Sequence, residues 1–227
     1  MKAYRLIYIG KTKDTFSTKN NPDLLIMRFK DNVLGKDGMP DSGGNEVIGV
    51  LHGKGRACAR INSSFMRLFA GHGIRTHFVD TLPQADVVVC RTERIPIEFI
   101  CRNLAYGTYL ERHPGARPFA PLGGIIEYSL KSDEAGDPFM TKQQVLDFVS
   151  RAQLHAITAV IRRINAAVSS FCGKASVVLV DFKAEFGKLG RRTVMIDDFS
   201  CDTARFAKNG KLLSPFELEK IESKIKT

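Results

Sequence analysis

The chain predicts an α+β protein of two lobes, and three observations lead there. Short apolar strands separated by polar turns occupy the first thirty positions, two helical patterns of apolar residues follow at 56–70 and 145–170, and no internal repeat or low-complexity tract interrupts them. With 227 residues the chain is long enough for a substantial core, and the lobes divide as residues 1–95 and 96–227.

Taken in order, Arg5 to Ile9 reads as a strand, Gly10-Lys11-Thr12-Lys13 as a basic glycine turn, and Asp14 to Ser17 as a returning strand. Asn20 to Asp23 is a second turn before the apolar strand Leu24 to Phe29. Lys36 to Gly55 is rich in Gly, Asp and Pro without apolar periodicity, so it is expected to be a long loop. Ala57, Ile61, Phe65, Leu68 and Phe69 follow helical spacing and end near Gly71 or Gly73. Strands are expected at Thr76–Asp80 and Val87–Cys90, with Ile95 to Arg102 a connector running into another strand. Pro114 to Pro121 should be a surface loop. Thr141-Lys142-Gln143-Gln144 has the form of a capping box, and the apolar positions that follow sustain a helix to about Ser170, stopped by Gly173. Ser214-Pro215-Phe216-Glu217 opens a last charged helix.

Composition narrows the partners. No apolar run approaches the roughly 20 residues that cross a bilayer, and the start is too short and polar for a secretion signal, so a cytoplasmic protein without membrane contact is expected. Five cysteines are an odd number without CxxC spacing, and the five histidines are scattered, so neither a disulfide framework nor a zinc site is indicated. A net charge of +10 favours anionic partners. The basic residues are spread along the chain without a clustered arm or nucleic-acid motif, which points to small phosphorylated molecules rather than nucleic acid.

The chemistry concentrates near residues 181–205. Asp181, Lys183 and Glu185 alternate with Phe182, Ala184 and Phe186, so a strand would project the three polar groups from one face. Gly187 to Arg192 reads as a turn, and the next strand, Thr193 to Ile196, delivers Asp197 and Asp198 beside the first. Hard carboxylate oxygens in such a hairpin suit magnesium carrying phosphates, although alternating charges are more often a solvated strand face. Gly10 to Lys13 offers amides and ammonium groups but lacks the Walker A spacing. Arg102, Gly107 and Thr108 put a guanidinium, a glycine and a hydroxyl in one short span, fit for phosphate or for a structural ion pair.

Together these segments resemble one family. YIGKTKDTF, KG at 54–55, GIRTHFV at 73–79, IPIEFICRNLAYGT at 95–108, KSDEAGDP at 131–138, VDFKAEFG and IDDFSCDTAR occur in the order and approximate spacing of the SAICAR synthetases. The resemblance implies a SAICAR synthetase-like fold, a kinase-like antiparallel β lobe and a larger α/β lobe with ATP in the cleft between. It also implies an ATP-dependent ligase of purine biosynthesis that joins the carboxylate of carboxyaminoimidazole ribotide to the amino group of L-aspartate through an acyl phosphate. Position by position, Gly10, Lys11 and Lys13 fall on the triphosphate loop, Glu98 on the nucleotide hinge, and Glu185 and Asp197 on the magnesium and ATP ligands. Lys183, Glu185 and Asp197 make the implied catalytic set. Arg102, Thr108 and Arg205 match the ribotide phosphate site, Lys131, Asp137 and Lys183 the substrate end of the cleft, and Ser200 and Asp202 the substrate-orienting SPD-like segment. The implied cofactors are ATP and Mg2+, and the implied assembly is a homodimer or larger homo-oligomer.

The chain departs from the family pattern at Ile9, at Arg56 to Arg60, at Thr108, at Cys201 and in the tail after Arg205. Two other readings therefore stay open beside the synthetase: a paralogue acting on a related imidazole or purine nucleotide, as in coformycin-type nucleoside biosynthesis, and a nucleotide-binding protein without turnover.

Overall fold

The protein is seen as a computed structural model that describes every residue except 1, 2, 42, 43, 45, 133–135, 226 and 227. Among the described residues there are three antiparallel sheets and five helices, in keeping with the α+β expectation. The first sheet contains β1 (Ala3–Ile9), β2 (Lys13–Thr18) and β3 (Leu24–Phe29), joined by β7 (Phe78–Leu82) and β8 (Asp86–Cys90) in the order β1-β2-β3-β8-β7.

The segment 36–55, expected to be one long loop, is interrupted by a small sheet of β4 (Asn32–Lys36), β5 (Met39–Pro40) and β6 (Glu46–Val50), and its last two residues open a helix. Its apolar residues Met39, Val47 and Val50 are exposed, so no buried face impresses a period-2 pattern on the sequence.

Next comes α1 (Lys54–Gly71), which carries Ile61, Phe65, Met66 and Phe69 into the main core and Cys58 and Ala59 into a smaller core beneath the first sheet. Its first amides are capped from outside the helix. The Asp31 carboxylate accepts from the Gly53 and Gly55 amides at 3.0 and 2.8 Å. Gly55 is needed there because a Cβ would stand 2.7 Å from the Phe29 carbonyl oxygen.

The larger sheet runs β11-β10-β9-β12-β14-β15, with β13 pairing the second half of β12. Its strands are β9 (Glu93–Leu104), β10 (Pro121–Leu130), β11 (Phe139–Met140), β12 (Val178–Leu189), β13 (Arg192–Ile196), β14 (Ala204–Lys208) and β15 (Lys211–Leu212). The segment expected as a connector at 95 lies inside β9, and so does the expected lobe boundary at 95/96. A short α2 (Thr108–Arg112) follows β9.

Where one long helix was expected after Thr141 there are two, α3 (Lys142–Val145) and α4 (Arg151–Gly173). The capping box at Thr141 forms as expected, but Ser150 opens a second helix by accepting from the Gln153 amide at 3.2 Å. The apolar periodicity runs through this break because Val145, Val149 and Leu154 all face the same core. The last helix, α5 (Pro215–Ile225), packs against α1 through buried Leu218 and Glu222, which accepts from the Ser64 hydroxyl.

Phe65, Phe69, Phe182, Phe199 and Phe206 stack edge and face between α1 and the larger sheet. No described helix is long and apolar enough to cross a membrane. All five cysteines are free thiols.

Candidate active site

Period-2 geometry on β12 builds the floor of the site. Phe182, Ala184 and Phe186 point into the core, at 0, 2 and 1 % exposure, and leave Asp181, Lys183 and Glu185 on the opposite face. Residues directly opposite in a ladder share a face, so β9 sets Glu98 beside Glu185 and Arg102 beside Asp181. β10 continues the rows with Ser129 beside Glu98, while β14 sets Arg205 beside Asp181. The turn between β12 and β13 is tighter than expected, because the strands remain paired out to Leu189 and Arg192.

Two cavities open on this floor. The first, about 300 Å³, lies between the floor and the glycine loop of β1–β2. Gly10, Lys11, Lys13, Glu98, Glu185 and Asp197 line it on the polar side, and Leu25, Met27, Val89 and Ile196 offer an apolar wall suited to a purine ring. Lys131 and Asp202 also reach it. The second, about 120 Å³, is lined by Arg102, Thr108, Asp137, Asp181 and Arg205. Glu98, Lys183 and Thr203 line both.

The glycine loop is tightly braced. The Gly10 amide donates to the Lys13 carbonyl at 2.8 Å, and a Cβ on residue 10 would lie 2.4 Å from that oxygen. From the end of β3 and the start of β4, Lys30 Nζ, one residue past β3, donates to the Gly10 carbonyl at 2.7 Å and Asn32 Nδ2 to the Lys11 carbonyl at 2.8 Å. A loop held this way keeps its lysines over the cavity with little entropy left to lose.

Charge in the first cavity is unevenly shared. Lys13 Nζ sits 3.0 Å from Asp197 and also bonds Asp198, and these carboxylates overcome burial to raise its pKa well above the usual lysine value. Asp197 has positive φ (63°), which turns the chain so that both aspartates reach the same ammonium. Burial works against the Asp197 carboxylate, yet Lys13 pulls it below its usual range, whereas burial pushes enclosed Asp198 up. Glu185 is pushed up to about 7 by burial and by the charge of Asp197, with Arg94 3.8 Å and Lys131 4.0 Å away. Buried Glu185, short of positive charge, and half-buried Asp197 offer hard carboxylate oxygens to one cavity, a donor set that fits a magnesium ion. His77, buried, lies 2.9 Å from the Asp197 carbonyl through Nε2, and burial lowers its pKa to about 4, so it is neutral and donates from that nitrogen.

Lys131, just past β10, stands 3.7 Å from both Glu98 and Asp137 and so ties β9 to the loop between β10 and β11. Asp137 also accepts from the Ser132 amide at 2.8 Å. The Asp133, Glu134 and Ala135 part of the KSDEAGDP segment lies outside the described residues.

In the second cavity the cations are already paired. Arg102, 1 % exposed, donates to Glu127, to Asp181 at 3.2 Å and to Thr108 Oγ1 at 2.9 Å. Arg205 donates to Asp181 at 2.7 Å and to Asp41, while its buried Nε has no hydrogen-bond partner. Three carboxylates thus balance three guanidiniums, counting Arg112 on Glu127. Gly107 admits this packing, since a Cβ there would meet Arg205 Nη2 at 2.7 Å.

Among the expected site residues, Ser200 alone lines neither cavity. Its fully buried hydroxyl donates to Asp198 and accepts from the Asp202 amide at 3.1 Å, which holds the loop that presents Asp197 and Asp202. Asp202 pairs with Lys54 at the start of α1. Sequence reasoning passed over Arg94, Thr203 and Glu127. Arg94 and Glu127 lie on strands whose alternation would have put them on the polar face, had β9 and β10 been read whole.

The SAICAR synthetase family model matches residues 6–220. The phosphoribosylaminoimidazole-succinocarboxamide synthase of Neorickettsia sennetsu is 36% identical over 211 residues, taking in 91% of this chain and 84% of that protein. The crystal structure of the enzyme of that name from Ehrlichia chaffeensis superposes with a TM-score of 0.84 at 29% identity, over 98% of this chain and 95% of that one. A type-2 SAICAR synthetase solved in complex with ADP gives a TM-score of 0.83 at 27% identity, over 96% of this chain and 95% of that one. With the motifs in register from the glycine loop to α5 and the same fold in solved members, the chain belongs to the SAICAR synthetase family.

Proposed function

We propose that the chain is an ATP-dependent carbon–nitrogen ligase that joins the carboxylate of carboxyaminoimidazole ribotide to the amino group of L-aspartate, giving SAICAR, ADP and phosphate in purine biosynthesis. The observation that carries this reading is the junction of the two cavities at Glu98, Lys183 and Thr203. A ligase of this type must bring a terminal phosphate and an acceptor carboxylate, both anions, into contact, and Lys183 stands where the two would meet. The acyl phosphate then supplies the leaving group that a carboxylate lacks, so the amine can displace phosphate and form the amide.

The first cavity is the ATP side of this reading, supported by the ADP complex of a relative. Lys11 and Lys13 would hold the triphosphate and the Gly10 turn would cover it. Glu185 and Asp197 would hold magnesium, which when bound screens the phosphate charges. The Lys183 ammonium, in a partly closed cavity, offsets charge as it builds on the transferred group. Arg102, Thr108 and Arg205 would receive the ribotide phosphate, the unpartnered Arg205 Nε supplying a ready donor. Lys131 and Asp137 would border the imidazole and its carboxylate, and Ser200 and Asp202 would shape the loop beneath. L-aspartate as the amine, and self-association into a dimer or larger assembly, rest on the family likeness.

The test is ADP release from magnesium ATP and carboxyaminoimidazole ribotide, with and without aspartate, with the product followed by mass. Aspartate-dependent release with the succinocarboxamide product is expected. Tight nucleotide binding without that product would overturn the substrate assignment in favour of a different nucleotide.

A further inference from the structure

On the face of the larger sheet turned away from both cavities, a groove of about 1030 Å³ runs between β10 and α4. Ile125 also lines it, and from Ile126 onward alternation along β10 separates the two sides. Ile126 and Tyr128 look into the groove, while Glu127 and Ser129 look toward Arg102 and Glu98. On the other wall, Arg151, His155, Thr158 and Arg162 recur at helical spacing and share one face of α4. From Arg151 to Arg162 the helix advances about 16 Å, the length scale of a nucleotide. Lys142 and Arg163 complete the rim, and Arg163 donates to the His72 carbonyl.

No aspartate or glutamate lines this groove among the described residues, and Lys142, Arg151 and Arg162 have no carboxylate partner there. This contrasts with the second cavity, where each guanidinium has one. Cations gathered around a concavity reinforce one another's potential instead of being diluted over a convex surface. Pairing two copies across a two-fold axis here would set the same cations against themselves, so a second copy of this chain is a poor occupant. Leu154 and the ring of Tyr128 add an apolar floor. The open edge of β10 lies alongside, since β11 pairs with it only at Tyr128 and Ser129.

We propose that this groove is a second anion-binding site, for a phosphorylated small molecule of about nucleotide size, its phosphates held by Arg151 and Arg162 and its apolar part lying on Tyr128 and Leu154. The site is separate from the ATP cleft, being on the opposite face of the same sheet.

Equilibrium dialysis with ADP tests it on three proteins: wild type, Arg151→Ala/Arg162→Ala, and Arg191→Ala/Arg192→Ala as a control that removes the same charge from the exposed tip of the β12–β13 hairpin. Alanine preserves the helix at exposed positions, and thermal unfolding checks that all three are folded. The groove variant is expected to bind one equivalent fewer than wild type, or to bind the weaker equivalent about tenfold less tightly or worse, while the control pair matches wild type. This comparison holds whether or not the cleft is occupied. Equal binding by wild type and the groove variant, or an equal loss in both variants, would overturn the proposal and leave the groove a solvated basic surface.

Discussion

Lys183 Nζ lies 3.3 Å from Glu98 Oε1, across neighbouring strands of one ladder, and the pair forms the partition between the two cavities. Both side chains come from twelve-residue strands in the middle of the larger sheet, with core phenylalanines directly behind them. A site on such elements is held more closely than one on loops.

Among the described residues no cation stands closer to Glu185 than Arg94 at 3.8 Å, and burial beside Asp197 raises its pKa to about 7. If it is a magnesium ligand, Glu185→Gln keeps the shape and removes the charge. Affinity for ADP in the presence of magnesium is expected to fall about tenfold or more, while affinity without magnesium changes little. Calorimetric titration in both conditions checks this, and equal affinities with and without magnesium in the wild type would remove the metal assignment.

Two glycines on α1 should respond to alanine with opposite sign. At Gly55 a Cβ would press on the Phe29 carbonyl, so Gly55→Ala is expected to cost about 1–3 kcal/mol through forced backbone movement. At Gly71 nothing lies within 4 Å of the added carbon, and Gly71→Ala should gain up to about 1 kcal/mol from helix propensity. Urea unfolding of the two variants compares them directly.

Asp31 caps α1 from a neighbouring loop, and Asp31→Ala is expected to cost about 1 kcal/mol at neutral pH. The Gly55 and Gly53 amides hold its carboxyl below the ordinary value. With the folded-state pKa lower than the unfolded one, the contribution is full above the ordinary carboxylate range and is lost as pH falls through the folded value. The stability gap between wild type and Asp31→Ala should therefore be constant near neutrality and narrow in acid. A gap that widened on acidification would contradict the cap.

Much of the site was legible because its chemistry follows a period of two. Asp181, Lys183 and Glu185 share a face as their spacing requires, and Asp197 arrives beside Glu185 because Ile196 pairs with it. The first sheet and α1 were equally readable from clean apolar patterns. β10 was not, since Pro121 opens it and Gly123 and Gly124, both at positive φ, break its alternation. With β10 unseen, Glu127 could not be placed on Arg102, nor could the groove behind Tyr128 be anticipated. The small sheet β4–β6 was hidden for a different reason, having little apolar surface to bury. Asp41 consequently emerged only in three dimensions, 164 positions from the Arg205 it binds.

The central claim is that Lys183 serves the step joining the two cavities, and Lys183→Ala tests it through kcat measured beside ADP affinity. The expected result is a fall in kcat of about 100-fold to 1000-fold, with ADP affinity within a few-fold of wild type. A variant that turned over at the wild-type rate, or that lost ADP affinity in proportion to kcat, would contradict that role.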